Sequence, residues 1–351
     1  MTKIVPTGNY HCLALQIRCD AVNELTDRSL ARERMTATLD RARKQIVGSK
    51  AFIGPDTKLV VLPEYFLTGF PMGETVQAWI SKACLEMEGP EYEAMGRIAE
   101  ETHVYLAGSA YEVDGKFPGL YFQTSFVVAP SGNVVLRYRR LISMFAPTPH
   151  DIWERYLDVY GLEGVFPVAR TEIGNLAAIA SEEILYPEVA RCMAMRGAEI
   201  FVHSSSETGS PLLTQKGVAK QARAIENLAY VVSANSAGIA HIDIPVASAD
   251  GGSAIIDYKG TVLAEAAQGE SMVANAQIDL GALREYRRRP GMGNLLSRQR
   301  FELFAQSYAE HSFHPPNTLL DENRQLIVPD RAQFARTQME IIERLVDKEV
   351  I

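Results

Sequence analysis

A chain of 351 residues with 47% hydrophobic and 22% charged side chains holds enough apolar material for a sizeable core, and one large domain is the default reading rather than a disordered chain. A formal net charge of -8 leaves no electrostatic footprint for nucleic acid or an anionic membrane surface, and the run Arg287-Arg288-Arg289 reads as a local solvated or interface-facing cluster. Four sparse cysteines (Cys12, Cys19, Cys84, Cys192) and seven scattered histidines show no metal-ligand spacing, and no signal-like segment or membrane-length apolar run is present, so reduced thiols, no metal site, no cofactor and a cytoplasmic location are expected.

After a short polar lead, His11 to Arg18 alternates apolar and polar residues as a half-buried strand does. Asp27 to Val47 then changes period, with Leu30, Met35, Leu39, Ala42 and Ile46 on one face of an amphipathic helix. Leu59 to Leu62, ended by Pro63, predicts a strand buried on both faces, followed by a loop through Gly69 and Gly73. Glu91 to Thr102 reads as a helix, Val104 to Ala107 and Gln123 to Val128 as strands, and Pro130 to Asn133 as the turn leading to a strand at Val134 to Tyr138. Met144 to Gly164, rich in Pro, aromatic and charged residues, suits a long functional loop with a short helix.

Leu176 to Ala180 predicts a short apolar strand, Pro187 to Arg196 a helix with Pro in its first turn, and Ile200 to His203 a further strand. A helix from about Thr214 to Leu228, a strand at Tyr230 to Ala234, a turn at Asp250 to Gly252 and a hairpin joining Ser253 to Asp257 with Val262 to Ala266 complete an intermixed α/β pattern without internal repeats. The stretch after about Asn294 carries aromatic and charged residues and Pro315-Pro316, and reads as a segment that wraps a neighbouring subunit.

Three positions carry chemistry. Glu64 ends a buried strand, where α/β proteins place their clefts and where desolvation favours a general base. Arg140 closes the basic stretch Arg137-Tyr138-Arg139-Arg140 at another strand end, where a fixed cation can stabilise an oxyanion. Ser181 breaks an apolar strand just before a helix, which would present its hydroxyl at the top of the sheet. Each has an ordinary explanation when taken alone: a loop carboxylate bonded to amides, a surface cation, a capping hydroxyl. The pair Glu182-Glu183 reads most simply as stabilising the following helix N-terminus.

Taken in order, the three resemble the Glu, Lys, Cys triad of the carbon–nitrogen hydrolase (nitrilase and amidase) superfamily. Leu62-Pro63-Glu64 is followed by Tyr65 and Gly69, Pro130 and Gly132 precede Tyr138-Arg139-Arg140, and Ser181 stands six residues before Pro187-Glu188. Secondary landmarks agree, among them Arg191, Gly197-Ala198, Arg223 to Asn227 and Asn235 to Gly238. The resemblance covers roughly Leu13 to Leu280 and implies an α/β fold of the four-layer α-β-β-α sandwich type. It divides the chain into a hydrolase domain over residues 1–285 and a C-terminal extension over 286–351 that packs on the same domain or on a neighbouring subunit.

This chain departs from the family pattern with Arg140 at the Lys place and Ser181 at the Cys place. A hydroxyl is far less acidic than a thiol and needs a well-placed base, while a guanidinium keeps its charge and offers a planar fork suited to a flat anion. Cys192, eleven residues on, lies within the predicted helix and reads as a structural thiol. Three readings follow: an amidase- or nitrilase-like hydrolase with an altered Glu-Arg-Ser triad, a catalytically silent ligand-binding member, or a lyase or transferase using Glu64 without covalent catalysis. Tyr65, His150, Glu182, His203 and Ser204 are expected to line the pocket of a small-molecule substrate, with Asp151, Glu154 and Glu207 nearby. The resemblance also implies a homodimer or larger homo-oligomer.

Overall fold

In a computed structural model that describes residues 8–208 and 213–351, two mixed sheets stack face to face and carry helices on their outer faces, an α-β-β-α sandwich. The polar lead of the sequence lies largely outside the described residues. The first sheet contains β1 (Tyr10–Ala14), β2 (Thr57–Val61), β3 (Tyr105–Val113), β4 (Tyr121–Val128) and β5 (Val134–Arg139). The second contains β6 (Ala169–Thr171), β7 (Gly174–Ala180), β8 (Ile200–Ser204), β9 (Tyr230–Ala234), β10 (Ala254–Ile256) and β11 (Val262–Glu265), after which β12 (Asn275–Ile278) returns to the edge of the first.

Strand order is β12-β1-β2-β3-β4-β5, with the short strand Leu85–Glu86 added to the end of β3, and β11-β10-β9-β8-β7-β6. In each sheet the three inner strands, β1-β2-β3 and β7-β8-β9, run parallel, and the flanking strands run antiparallel. Parallel pairing requires crossovers, and helices supply them. They are α1 (Arg28–Ile53) from β1 to β2, α2 (Val76–Ala83) and α3 (Pro90–Thr102) from β2 to β3, and, after α4 (Trp153–Val165), α5 (Pro187–Met195) from β7 to β8 and α6 (Gln215–Asn227) from β8 to β9.

Side-chain alternation divides the core. Cys12, Leu59, Val61, Tyr105 and Ala107 join the cluster shared with the second sheet, while Leu13, Val60 and Leu106 pack with Met35, Leu39, Ile46 and Ile98 of the helices. Asp27 caps α1 by accepting from the Ser29 and Leu30 amides, and the helix runs to Ile53, six residues past the predicted end.

Some elements differ from expectation. β3 continues to Val113 because Gly108 and Ser109, which interrupt the apolar run, stay in the sheet; a Cβ on Gly108 would lie 2.9 Å from the Phe126 ring. The expected long loop is mostly ordered, as a 3₁₀ turn at Pro149–Ile152 closed by a reciprocal Thr148–Asp151 cap and then α4, which is bent at Gly161.

Beyond α7 (Leu280–Arg288) come α8 (Glu302–Glu310) and α9 (Arg331–Asp347). The predicted boundary at 285 falls inside α7, whose Leu280 and Leu283 are buried in the inter-sheet core. In the extension, the Asn317 and Leu319 amides donate to the carbonyls of His150 and Asp151 at 3.0 and 2.9 Å, and Leu319 is buried against this same chain. Among the described residues no helix is long and apolar enough to cross a membrane.

The α3 face lies directly on the turn before β5, and a Cβ on Gly96 would sit 2.8 Å from the Gly132 carbonyl oxygen. Backbone cannot rotate away as a side chain can. Gly96→Ala is therefore expected to lower stability by about 1–3 kcal/mol in a denaturant titration; an unchanged midpoint would contradict this close approach.

Candidate active site

The ends of parallel strands from both sheets meet at one place. The Ser204 hydroxyl at the end of β8 donates to the Leu62 carbonyl past β2 at 2.8 Å, and the Glu64 amide donates to the Ser205 carbonyl at 3.2 Å. These bonds fix the carboxylate of Glu64, which is 3% exposed, at the seam between the sheets.

Arg140 reaches the same seam from the end of β5. Its Nη1 donates to Gln123 Oε1 at 2.8 Å and lies 3.7 Å from Glu64 Oε1, while Gln123 Nε2 donates to that same Glu64 oxygen at 2.5 Å. Nε donates to the Ile142 carbonyl at 2.8 Å, and Nη2 pairs with Glu182. Burial opposes the charge, but Glu64 and Glu182 outweigh it and raise the Arg140 pKa, so the cation is permanent. The planar fork is thus filled by groups of this chain, not left open for a substrate carboxylate. Gln123, which bridges the two charges, has no sequence signal beyond its place in a strand.

Ser181 follows β7 with φ of +45°, in the left-handed region that non-glycine residues avoid. A 3₁₀ turn at Ser181–Leu185 then leads to Pro187 at the first turn of α5, so the strand-to-helix elbow read from the sequence is present. His203 Nε2 lies 2.7 Å from the Ser181 carbonyl and Nδ1 lies 2.8 Å from the Ser233 hydroxyl. A carbonyl only accepts, so Nε2 carries the proton and Nδ1 accepts from Ser233. Burial, followed by the charge of Lys220, pushes the imidazole pKa well below its ordinary value and keeps it neutral.

The Ser181 hydroxyl meets a residue the sequence reading missed. Lys216 Nζ, from the first turn of α6, lies 3.1 Å from Ser181 Oγ and 3.4 Å from Ser205 Oγ. Among the described residues no hydrogen bond joins Glu64 to Ser181. Burial lowers the Lys216 pKa, opposed by the more distant charges of Glu64, Glu207 and Glu182. The only sequence clue was a lysine near the start of an amphipathic helix, which ordinarily marks a solvated face.

Glu183 does not serve the α5 N-terminus. It is fully buried, accepts from the Tyr138 hydroxyl at 2.6 Å, and receives the Leu141 and Ile142 amides at 2.7 and 2.9 Å, so it pins the segment that carries Arg140 to the Ser181 elbow. Burial raises its pKa to about 7 despite these bonds.

A cavity of about 670 Å³ opens beside this cluster, with walls that include Leu141, Ile142, Phe166, Tyr186, His150 and Glu182. Glu182 stands on the wall and holds Arg140 behind it; Ser181, Glu64 and Lys216 are not on the wall. Of the residues expected to line a pocket, His150 and Glu182 do so. Tyr65 packs on Phe70, and His203 and Ser204 are internal supports whose polar atoms are already engaged. Asp151 also lines the cavity but is bonded to Thr148 and Thr318, Glu154 pairs with Arg324, and Glu207 pairs with Lys220 at 2.9 Å. Cys192 is half-buried on α5 and away from these bonds. Among the described residues, no group of three His, Cys, Asp or Glu is disposed to hold a metal ion.

Residues 29–288 match the carbon–nitrogen hydrolase family. The chain belongs to that family. It is 28% identical over 209 residues to a formamidase from Bacillus cereus, covering 58% of each chain. The chain spans less than two thirds of the length of the curated relatives it matches. Solved structures agree on the fold. A carbon–nitrogen hydrolase from Helicobacter pylori superposes with a TM-score of 0.62 at 20% identity, covering 86% of this chain and 98% of that one. Saccharomyces cerevisiae Nit3, of the nitrilase superfamily, gives 0.60 at 21% identity, with 82% and 96% covered.

The elbow has a measurable cost, because a side chain in the left-handed region is disfavoured by roughly 1–2 kcal/mol and glycine is not. In this family member Ser181→Gly should be more stable than Ser181→Ala by about 1 kcal/mol in thermal or chemical unfolding; equal stabilities would mean that the elbow is unstrained.

Glu183 makes a second prediction. Its folded pKa lies above the unfolded value, so the folded state binds more protons between about pH 4.5 and 7 and its contribution to stability falls as pH rises through that window. Glu183→Gln keeps the acceptor for both amides and should flatten the stability profile there, whereas an unaltered slope would exclude the carboxyl as its source.

Proposed function

We propose that the protein hydrolyses a non-peptide carbon–nitrogen bond of a small amide through an acyl-enzyme on Ser181. The observation that carries this reading is the position of Ser181: on a positive-φ elbow at a parallel-strand end, with its hydroxyl against Lys216, beside the buried Glu64–Gln123–Arg140 cluster. Ser181 Oγ attacks the substrate carbonyl carbon, the C–N bond breaks as the amine leaves protonated, and water then releases the acid from the ester. Arg140 supplies a fixed positive charge where the oxyanion develops, and Glu64 balances it between turnovers. The formamidase likeness favours an amide, and a cavity of about 670 Å³ with apolar walls accommodates an acyl or amine portion larger than formamide.

Incubation with a panel of aliphatic and aryl amides, read by intact mass, should show an acyl adduct on Ser181 and release of amine. Ser181→Ala should abolish both. Full turnover by Ser181→Ala would remove covalent catalysis. A silent, ligand-binding member is the second reading, favoured by Glu182 and Arg140 standing between the cavity and the hydroxyl; saturable amide binding without adduct or amine release would establish it.

A further inference from the structure

We propose that Lys216, rather than Glu64, is the general base that activates Ser181. The inference rests on the hydrolase reading above and names the group that accepts the proton. Its ground is geometric: Lys216 Nζ is the side-chain group within hydrogen-bonding distance of Ser181 Oγ among the described residues, at 3.1 Å, whereas Glu64 makes no hydrogen bond to Ser181, its Oε1 being held by Gln123 beside Arg140 and its buried Oε2 lacking a partner among the described residues.

The surroundings suit a lysine that works unprotonated. Lys216 makes no ion pair within 4 Å among the described residues, and its two partners are hydroxyls, those of Ser181 and Ser205. Lys220, one helical turn on, instead pairs with Glu207 at 2.9 Å. Among the described residues, Glu64 beyond β2, Glu207 beyond β8 and Glu182 on the elbow favour the ammonium, burial and Lys220 disfavour it, Arg140 is taken up by Glu64 and Glu182, and His203 is neutral. A serine hydroxyl needs a stronger base than the carboxylate that suffices for a thiol. A desolvated amine meets that need, and pairing of serine with lysine is a known variant of nucleophile activation.

The proton inventory closes within the pair. As Oγ bonds to the carbonyl carbon, its proton passes to the neutral amine of Lys216 and the carbonyl π electrons move to oxygen. Collapse of the tetrahedral adduct breaks the C–N bond, and the Lys216 ammonium protonates the departing amine. A water then attacks the ester carbonyl, gives its proton to Lys216, and the proton returns to Ser181 Oγ as the acid leaves. Ser205 accepts a hydrogen bond from the ammonium and keeps Nζ aimed at the elbow.

The test uses the full chain and a small alkyl fluorophosphonate, which reports Ser181 nucleophilicity without knowledge of the substrate. Phosphonylation forms the Oγ–P bond and releases fluoride, and intact mass with peptide mapping gives its rate against pH. The expected result is labelling at Ser181 along a single ascending ionisation, at least about 100-fold slower in both Lys216→Ala and Lys216→Arg. In Glu64→Gln that ionisation should move to lower pH, because the carboxylate that favours the ammonium is gone. Lys216→Cys, inert as made, should recover labelling after alkylation with 2-bromoethylamine, which rebuilds an amine at that point and guards against a variant that merely folds badly. Labelling of Lys216→Arg at the wild-type rate and pH profile would overturn the proposal in favour of a purely electrostatic lysine, while leaving Ser181 as nucleophile. Absence of wild-type labelling above a Ser181→Ala blank would sink both the proposal and the hydrolase reading.

Discussion

The site is organised around one buried guanidinium. Removing an ion of this size from water costs several kcal/mol even after relaxation, and that cost is offset only if its donors find acceptors. Arg140 finds them on Gln123, Glu182 and the Ile142 carbonyl, with Glu64 at 3.7 Å. These acceptors belong to β4, the elbow after β7 and the segments following β2 and β5, so satisfying one charge ties together chain ends from both sheets. Loss of the guanidinium would leave Glu64 and Glu182 without their shared cation.

The same constraint explains why Ser181 and Arg140 make sense together. A lysine at the position of Arg140 could shuttle a proton, but an arginine whose pKa is raised by two carboxylates cannot. The mobile proton must then reside elsewhere, and a serine in place of a thiol makes the demand for a base greater. Lys216, desolvated and without an ion-pair partner among the described residues, is placed to meet it from α6. His203 contributes from behind: by donating to the Ser181 carbonyl it holds the elbow in its left-handed conformation, and its neutrality avoids adding a third cation to a crowded seam.

Much of this was legible in the linear sequence because the relevant signals are local. The apolar runs of β2, β7 and β8, the Pro and Gly punctuation around them and the order Glu64, Arg140, Ser181 specify strand ends without any knowledge of packing. What was missed depends on contacts made across the fold. Lys216 looks like any lysine on an amphipathic helix until α6 packs its first turn against the elbow. Glu183 beside Glu182 looks like a helix N-terminal acid, but the 3₁₀ turn rotates one carboxyl into the core and leaves the other on a cavity wall. β12 is a short, half-polar edge strand whose only reason to be extended is the edge of β1, to which it pairs.

The cavity adds a structural argument about access. Its far wall is made by Gln333, Phe334, Thr337, Gln338 and Ile341 of α9, a helix with no fully buried residue, while its near wall is Glu182 and the segment after β5. Glu182 is therefore the boundary between an apolar chamber and the polar seam, and it is the more exposed partner of Arg140, at 39% against 9% for their side chains. The bond between this partly solvated carboxylate and the fixed cation is the contact of Arg140 most open to water, which competes for the carboxylate more than for the buried guanidinium. Swinging Glu182 outward would break its bond to Arg140 and free Nη2 on the side of the chamber. The contacts of Arg140 thus sit mostly at buried strand ends, and the most solvated of them stands on the cavity wall.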